Sequence, residues 1–328
     1  MKKNLRMDNR YVFWISLSLL LGCQPELTIN PELNANPSNL EVFAEDLVST
    51  PLYERDMAIA PDGKELIFTR GTFNQKIRAL ISLSKNGGNW GEATILPFSG
   101  KYQDIEPFYA PDGEVLYFAS NRPVYSDTTR TDYNIWAVNK VKGSWGTPYP
   151  LDSVINSRND EFYPAVSANG NLYFTATRED GYGREDIFYS TYSSGQYQSP
   201  IALDSLVNTK AYEFNAYIDP AETLLIFSSF GRADGYGGGD LYFSKKLSDG
   251  SWSAARNLGP KLNSEFLDYC PFVDLKAGNL YFTSERTNQV QVEVNQPEEI
   301  TKEAHKTLNG MGNIYRISLQ NTPIKSVQ

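Results

Sequence analysis

At 328 residues the chain is longer than one ordinary domain, but a repeat architecture can absorb that length in one body. Hydrophobic residues make up 41%, enough for a sizeable core, and 21 Tyr with 17 Phe favour strands. A formal charge of −9 argues against a nucleic-acid backbone as partner, which needs basic patches, and gives no reason to expect adhesion to anionic lipid.

Lys2, Lys3, Arg6 and Arg10 precede an apolar run from Tyr11 to Leu21 that is too short to span a bilayer, so residues 1–22 read as a signal peptide. The run ends in Leu20-Leu21-Gly22-Cys23, which resembles a bacterial lipoprotein box; Leu21 is a less usual residue at its place. The resemblance implies lipidation of Cys23, and several acyl chains there would hold the protein to a membrane where one would not. Cys270, the other cysteine, then has no partner and reads as an inert buried thiol, leaving no disulfide framework and no cysteine metal site. Residues 23–40 carry several Pro and Asn without periodicity and read as a flexible tether.

From residue 41 one pattern is written five times. Its clearest copy is Ala110-Pro-Asp-Gly-Glu-Val-Leu-Tyr-Phe-Ala-Ser-Asn-Arg122, and the others end in Arg70, Arg178, Arg232 and Arg286. Copies lie roughly 50 to 57 residues apart, a period typical of solenoids and propellers. Pro111 presets φ, Asp112 suits the next turn position and Gly113 supplies positive φ, so the chain reverses into a hairpin. The Leu-Tyr-Phe and Leu-Ile-Phe triplets that follow are apolar on both alternating faces, as in strands covered on both sides. Third strands follow (Asn134-Ile-Trp-Ala, Asp186-Ile-Phe-Tyr, Asp240-Leu-Tyr-Phe), then turns ending in Trp90, Trp145, Tyr197 and Trp252. Segments such as Pro150–Ser157, Ala202–Thr209 and Leu258–Ser264 are expected to close each unit as its fourth strand. The fifth unit stops near Leu319, whereas a matching segment, Phe43–Thr50, opens the series. This phase shift predicts an all-β, five-bladed propeller of four-stranded antiparallel blades over 41–320, its ring closed by an N-terminal strand, with 321–328 as a tail.

The Pro-Asp-Gly…Leu-Tyr-Phe…Arg…Asp-Ile-Tyr pattern is similar to WD-like repeats of the TolB type across residues 41–319. That resemblance implies a non-enzymatic propeller binding other components of the bacterial cell envelope, and with the lipid anchor it implies the outer membrane. TolB itself has six blades and an extra domain, so its partners do not transfer. One insertion, 287–309, breaks the last blade. Its Gln-Val-Gln-Val-Glu-Val run is able to extend a hairpin, and Pro297 with following acids predicts a short helix.

Each unit carries an acid near the start of its inner strand: Glu54, Asp104, Glu161, Glu213 and Asp268. Five carboxylates around a channel suit a metal or glycosidase centre. Yet each is nearly symmetric about its turn with an arginine: Arg70, Arg122, Arg178, Arg232 and Arg286. Residues so placed face each other across a hairpin and form charge-assisted pairs, so a ring of structural pairs is expected on one rim, with binding there a further use. Asp180-Gly-Tyr-Gly-Arg-Glu-Asp186 and Asp234-Gly-Tyr-Gly-Gly-Gly-Asp240 offer aspartates for calcium, but their spacing lacks an EF-hand's alternating ligands, and a strand connection is the expected role. Tyr182 and Tyr236 at these loop tips are candidates for stacking on a ligand. The sole histidine, His305, lies in the insertion, so no histidine-dependent triad or multi-histidine metal centre is available unless that loop folds over the rim.

The expectation is therefore a lipid-anchored scaffold binding an envelope protein or glycan, with no resident cofactor or metal and no nucleic acid. The alternatives are a five-bladed glycosidase, which needs two free carboxylates about 5 to 10 Å apart, and a calcium-dependent carbohydrate-binding module.

Overall fold

The computed structural model describes residues 31–327; the signal segment, Cys23 and residues 24–30 lie outside the described residues. Five antiparallel sheets form a five-bladed propeller. From the channel outward, blade 1 runs Tyr53–Ile59, Glu65–Gly71, Arg78–Asn86, Thr94–Ile95, and blade 2 runs Asp104–Tyr109, Val115–Ser120, Asn134–Val141, Tyr149–Pro150. Blade 3 runs Glu161–Val166, Leu172–Ala176, Asp186–Ser190, Ile201–Ala202, and blade 4 runs Tyr212–Ile218, Leu224–Phe230, Asp240–Lys245, Arg256–Asn257. Blade 5 takes Asp268–Asp274, Asn279–Ser284 and Asn313–Ser318 from the C-terminal end and Glu41–Val42 from the other, so the two ends of the chain close the ring.

The inner turns follow their chemistry. Gly63 and Gly113 have φ of +72° and +76°, their amides reach Ala60 and Ala110, and Asp62 and Asp112 accept the amides of Lys64 and Glu114. The second-strand triplets are buried on both faces: Leu66, Ile67 and Phe68 are sealed from solvent, as are Leu225, Ile226 and Phe227. Each such side chain contributes roughly 1.5–3 kcal/mol. In blades 2, 3 and 4 the aromatic closing the third-strand turn staples its blade to the one before: Trp145 Nε1 reaches Glu65 Oε1 (3.4 Å), Tyr197 reaches the Tyr117 hydroxyl, and Trp252 meets Tyr173 edge-on.

Three expectations need correcting. The Leu-Asp-Ser-x-x-Asn segments are helical turns, not fourth strands, because local amides return to Asp152 and Asp204. The real fourth strands are two residues long and precede them. The asparagine of each turn (Asn156, Asn208, Asn263) instead pairs by its side-chain amide with the third strand at Ile135, Ile187 and Leu241. Secondly, the described part of the expected tether, 31–40, is packed on the propeller: the Pro31 carbonyl accepts from Trp90, the Glu32 carbonyl from Arg316, and those of Leu33 and Ala35 from Asn279. Lastly, the C-terminal tail folds back as well, burying Ile324 in the core. In the insertion the helix Pro297–Ala304 forms with a capping box, while the Val290, Val292 and Val294 run is exposed and joins no named strand.

Candidate functional site

Each inner strand carries its acid at its first or second residue, and Glu54, Asp104, Glu161, Glu213 and Asp268 are all sealed from solvent. Each faces its arginine: Glu54–Arg70 at 2.7 Å, Asp104–Arg122 at 2.8 Å, Glu161–Arg178 at 3.4 Å, Glu213–Arg232 at 2.9 Å and Asp268–Arg286 at 2.6 Å. The same guanidinium also donates to a carbonyl in the turn before the blade, at Leu47, Phe98, Ile155, Val207 and Leu262. In four blades that turn ends in a hydroxyl residue whose amide and Oγ both bond the acid: Thr50, Ser157, Thr209 and Ser264. Each pair is thus a strut pinning the turn that leaves one blade to the first strand of the next. Acids so enclosed cannot meet a ligand without dismantling the strut.

Blade 3 holds the loosest strut. Ala176 stands where Ser120, Ser229 and Ser284 each meet the arginine Nε, so Arg178 Nε is buried without a partner. Burial pushes the Glu161 carboxyl up to about 7, against hydrogen bonds from Ser157 and the Arg178 charge that pull it down.

Two residues further along each inner strand lies a second ring. Asp56, Glu106, Tyr163, Asn215 and Cys270 have φ of +59°, +60°, +49°, +51° and +54°, each at a β-bulge where the hairpin register slips. A non-glycine residue in this region costs about 1–2 kcal/mol. The bulge amides of Asp56, Glu106 and Asn215 are met by the hydroxyls of Thr283, Thr69 and Thr175 from the preceding blade. Ala119 takes that place in blade 2, and there the Tyr163 amide turns to Glu106 Oε2 at 2.7 Å.

Glu106 is the hub of this ring. Its Oε1 accepts from Arg55 Nη2 (2.7 Å) and Asn215 Nδ2 (3.3 Å). Arg55 also bonds Asp56 (2.7 Å), points Nη2 at Cys270 Sγ (3.5 Å) and lies 4.9 Å over the Tyr269 ring. The Tyr163 hydroxyl donates to the Pro271 carbonyl across the channel. Side chains from all five blades therefore join in one polar plug. Burial pushes the Glu106 carboxyl up to about 7; Arg55 pulls it back and Asp56 adds to the rise. Burial likewise raises the Cys270 thiol, keeping it neutral.

The plug floors a bowl of about 250 Å³ on the strut side, with Tyr133, Phe162, Phe214 and Tyr269 as aromatic walls above Arg55 and Glu106. Arg78 at its edge donates to Gln103 and to the Tyr133 hydroxyl. Glu185 lines it too, raised by burial and without a hydrogen-bond donor to its carboxylate among the described residues. On the far side the channel opens into an apolar mouth of about 220 Å³ lined by Ile59, Phe108, Val166, Tyr217 and Phe272.

Sequence reasoning did not reach the bulge ring or Arg55. A signal existed: proline follows the bulge residue in three inner strands (Pro107, Pro164, Pro271), and proline inside a strand marks a bulge. Asp186 Oδ2 accepts the amides of Tyr182 and Gly183, Asp240 Oδ2 accepts that of Tyr236, and Asp234 accepts from the Tyr242 hydroxyl. These carboxylates hold their own loops, and Asp180 stays exposed; no cluster of three or more His, Cys, Asp or Glu among the described residues is arranged for a metal. Tyr182 and Tyr236 are half-exposed at their loop tips and do not line the bowl. His305 bonds the Thr301 carbonyl of its own helix and is exposed.

No family model and no curated protein matches the chain. It is similar to the putative TolB from Agrobacterium tumefaciens, at 17% identity over 72% of this chain and 71% of that one, with a TM-score of 0.47. TolB from Acinetobacter baumannii aligns at 11% identity and a TM-score of 0.41; 81% of this chain is covered, and it spans 54% of that protein's length. The XC5397 gluconolactonase from Xanthomonas campestris aligns at 11% identity over 88% and 93% of the two chains, with a TM-score of 0.44. Likenesses this distant carry no argument about activity.

Proposed function

We propose that this protein is a non-enzymatic scaffold of the bacterial cell envelope, anchored through lipid on Cys23, that holds a segment of a protein partner in the bowl above the channel plug. The observation that supports this reading is the saturation of the acids. All five rim carboxylates are tied to an arginine, and Glu106 already accepts three hydrogen bonds. What the bowl offers instead is aromatic wall, a fixed cation and the Glu185 carboxylate, a combination that suits a chain segment with apolar and basic side chains. Among the described residues no helix is long and apolar enough to cross a membrane.

A photo-crosslinking residue at Phe162, in the bowl, is expected to trap a discrete protein adduct on intact cells, and one at Leu275, at the opposite mouth, is not. Equal labelling from both positions would remove the bowl as the docking site. A glycosidase reading has one observation in its favour: Glu106, at the floor of the bowl, has its carboxyl raised to about 7 by burial, with Asp56 adding to the rise. Hydrolysis of aryl glycosides by the wild type that Glu106→Gln abolishes would establish it over the scaffold.

A further inference from the structure

The seam between blades 2 and 3 departs from the others on the face opposite the bowl. In blades 1, 2 and 4 the lysine four residues after the third-strand partner of the second-strand phenylalanine (Ile81, Trp136, Tyr242) lies over the turn tryptophan: Lys85 over Trp90 (5.6 Å), Lys140 over Trp145 (4.8 Å) and Lys246 over Trp252 (5.3 Å). This cation–π pair closes the turn onto the neighbouring blade. Blade 3 has replaced both members with tyrosine. Tyr192 stands at the lysine's place and Tyr197 at the tryptophan's, their rings 5.0 Å apart and edge-on.

The substitution opens a cleft of about 360 Å³, within the size range of small-ligand sites. Two more tyrosines face it from blade 2. Tyr117 lies on the second strand, its hydroxyl 3.4 Å from that of Tyr197, and Tyr149 stands on the fourth strand where other blades carry Thr94, Ile201 and Arg256. Gly170 is needed behind Tyr192, since a Cβ there would come within 3.1 Å of that ring, besides its own φ of +82°. Tyr149 is 42% and Tyr192 44% exposed, so two aromatic faces remain open to a ligand. No lysine or arginine lines the cleft, and its single charge is the carboxylate of Asp152. Burial raises the phenols of Tyr117, Tyr149 and Tyr197, which stay neutral donors.

We propose that the tyrosine cleft between blades 2 and 3 is a binding site for a neutral carbohydrate chain. Sugar rings present flat C–H faces that pack on tyrosine, and hydroxyls that donate to a lone carboxylate or accept from phenols. The absence of lining cations disfavours phosphorylated, sulfated or uronic-acid glycans, and the paired polar tips disfavour a purely apolar ligand. The site lies on the other face from the bowl, so it stands or falls independently of the proposed function.

The test is affinity electrophoresis of the full-length protein in gels containing dextran, laminarin, mannan or galactan. Retardation by at least one is expected, and Tyr149→Ala with Tyr192→Ala should weaken it tenfold or more. The decisive variant is Tyr192→Lys with Tyr197→Trp, which rebuilds the pair found in blades 1, 2 and 4 and should fold normally while abolishing retardation. Migration unaffected by all four polysaccharides overturns the proposal. So does retardation that the Lys–Trp variant retains in full.

Discussion

The two rings around the channel share a backbone and differ in everything else. At the rim, all five blades place an acid against an arginine, and nearly all add the same hydroxyl and the same carbonyl. Two residues inward, all five blades repeat the same left-handed bulge, yet the side chains are Asp, Glu, Tyr, Asn and Cys. Uniform chemistry on a uniform backbone solves a problem that every blade has, namely attaching itself to the previous one. Five different side chains on one backbone solve a problem that only the centre of this molecule has. The repeat therefore separates structural residues from specific ones without recourse to any other sequence.

If that separation is right, acids from the two rings should respond differently. The largest effect is expected at the rim: Glu213→Ala strands Arg232, the Thr209 amide and hydroxyl, and Ser229, and should lower stability by about 3–5 kcal/mol in urea unfolding. A loss under 1 kcal/mol would mean that the struts are decoration.

A smaller, pH-dependent effect is expected in the channel. The Glu106 carboxyl moves from an ordinary 4.5 to about 7 in the fold, so between these values the folded state keeps a proton that the unfolded chain has released. Its contribution is whole below 4.5 and declines as pH rises through about 7, with a slope of at most ~1.4 kcal/mol per pH unit. Glu161 behaves alike, so the diagnostic quantity is the difference between wild type and Glu106→Gln across that window. Parallel pH profiles would remove Glu106 from the centre of the plug.

The smallest change is a gain. Ala176→Ser supplies the hydroxyl that blade 3 lacks, gives Arg178 Nε its partner and should raise stability by about 1 kcal/mol, visible as a higher urea midpoint. No gain would show that the missing hydroxyl is not what loosens this strut.

The architecture was legible because its causes are local and written five times. Tight turns, Asp-Gly in blades 1 and 2 and Asn-Gly in blade 3, mark the hairpins, two-faced apolar triplets show burial on both sides, and the out-of-phase ends announce the closure. The acid–arginine pairing could be read from symmetry about the turns, since antiparallel register converts equal spacing into contact. The plug could not be read that way: Arg55, Glu106, Asn215 and Cys270 lie up to 215 positions apart and meet only because the ring brings five inner strands to one axis. The aromatic of the outer turns was visible as a repeat, but its pairing with a lysine, and the replacement of that pair at Tyr192 and Tyr197, needed the strand register.

The segment 31–40 has a mechanical consequence. It runs from Trp90 on blade 1 past Arg316 and Asn279 on blade 5 before reaching Glu41, so it crosses the very seam at which the ring is joined. A load applied from the N-terminal side meets these side-chain bonds one after another before it reaches the two-residue strand that holds the ring shut. Tension arriving from the N-terminal side would be taken up across the end of blade 5, and the closure would be the last part of the path to feel it.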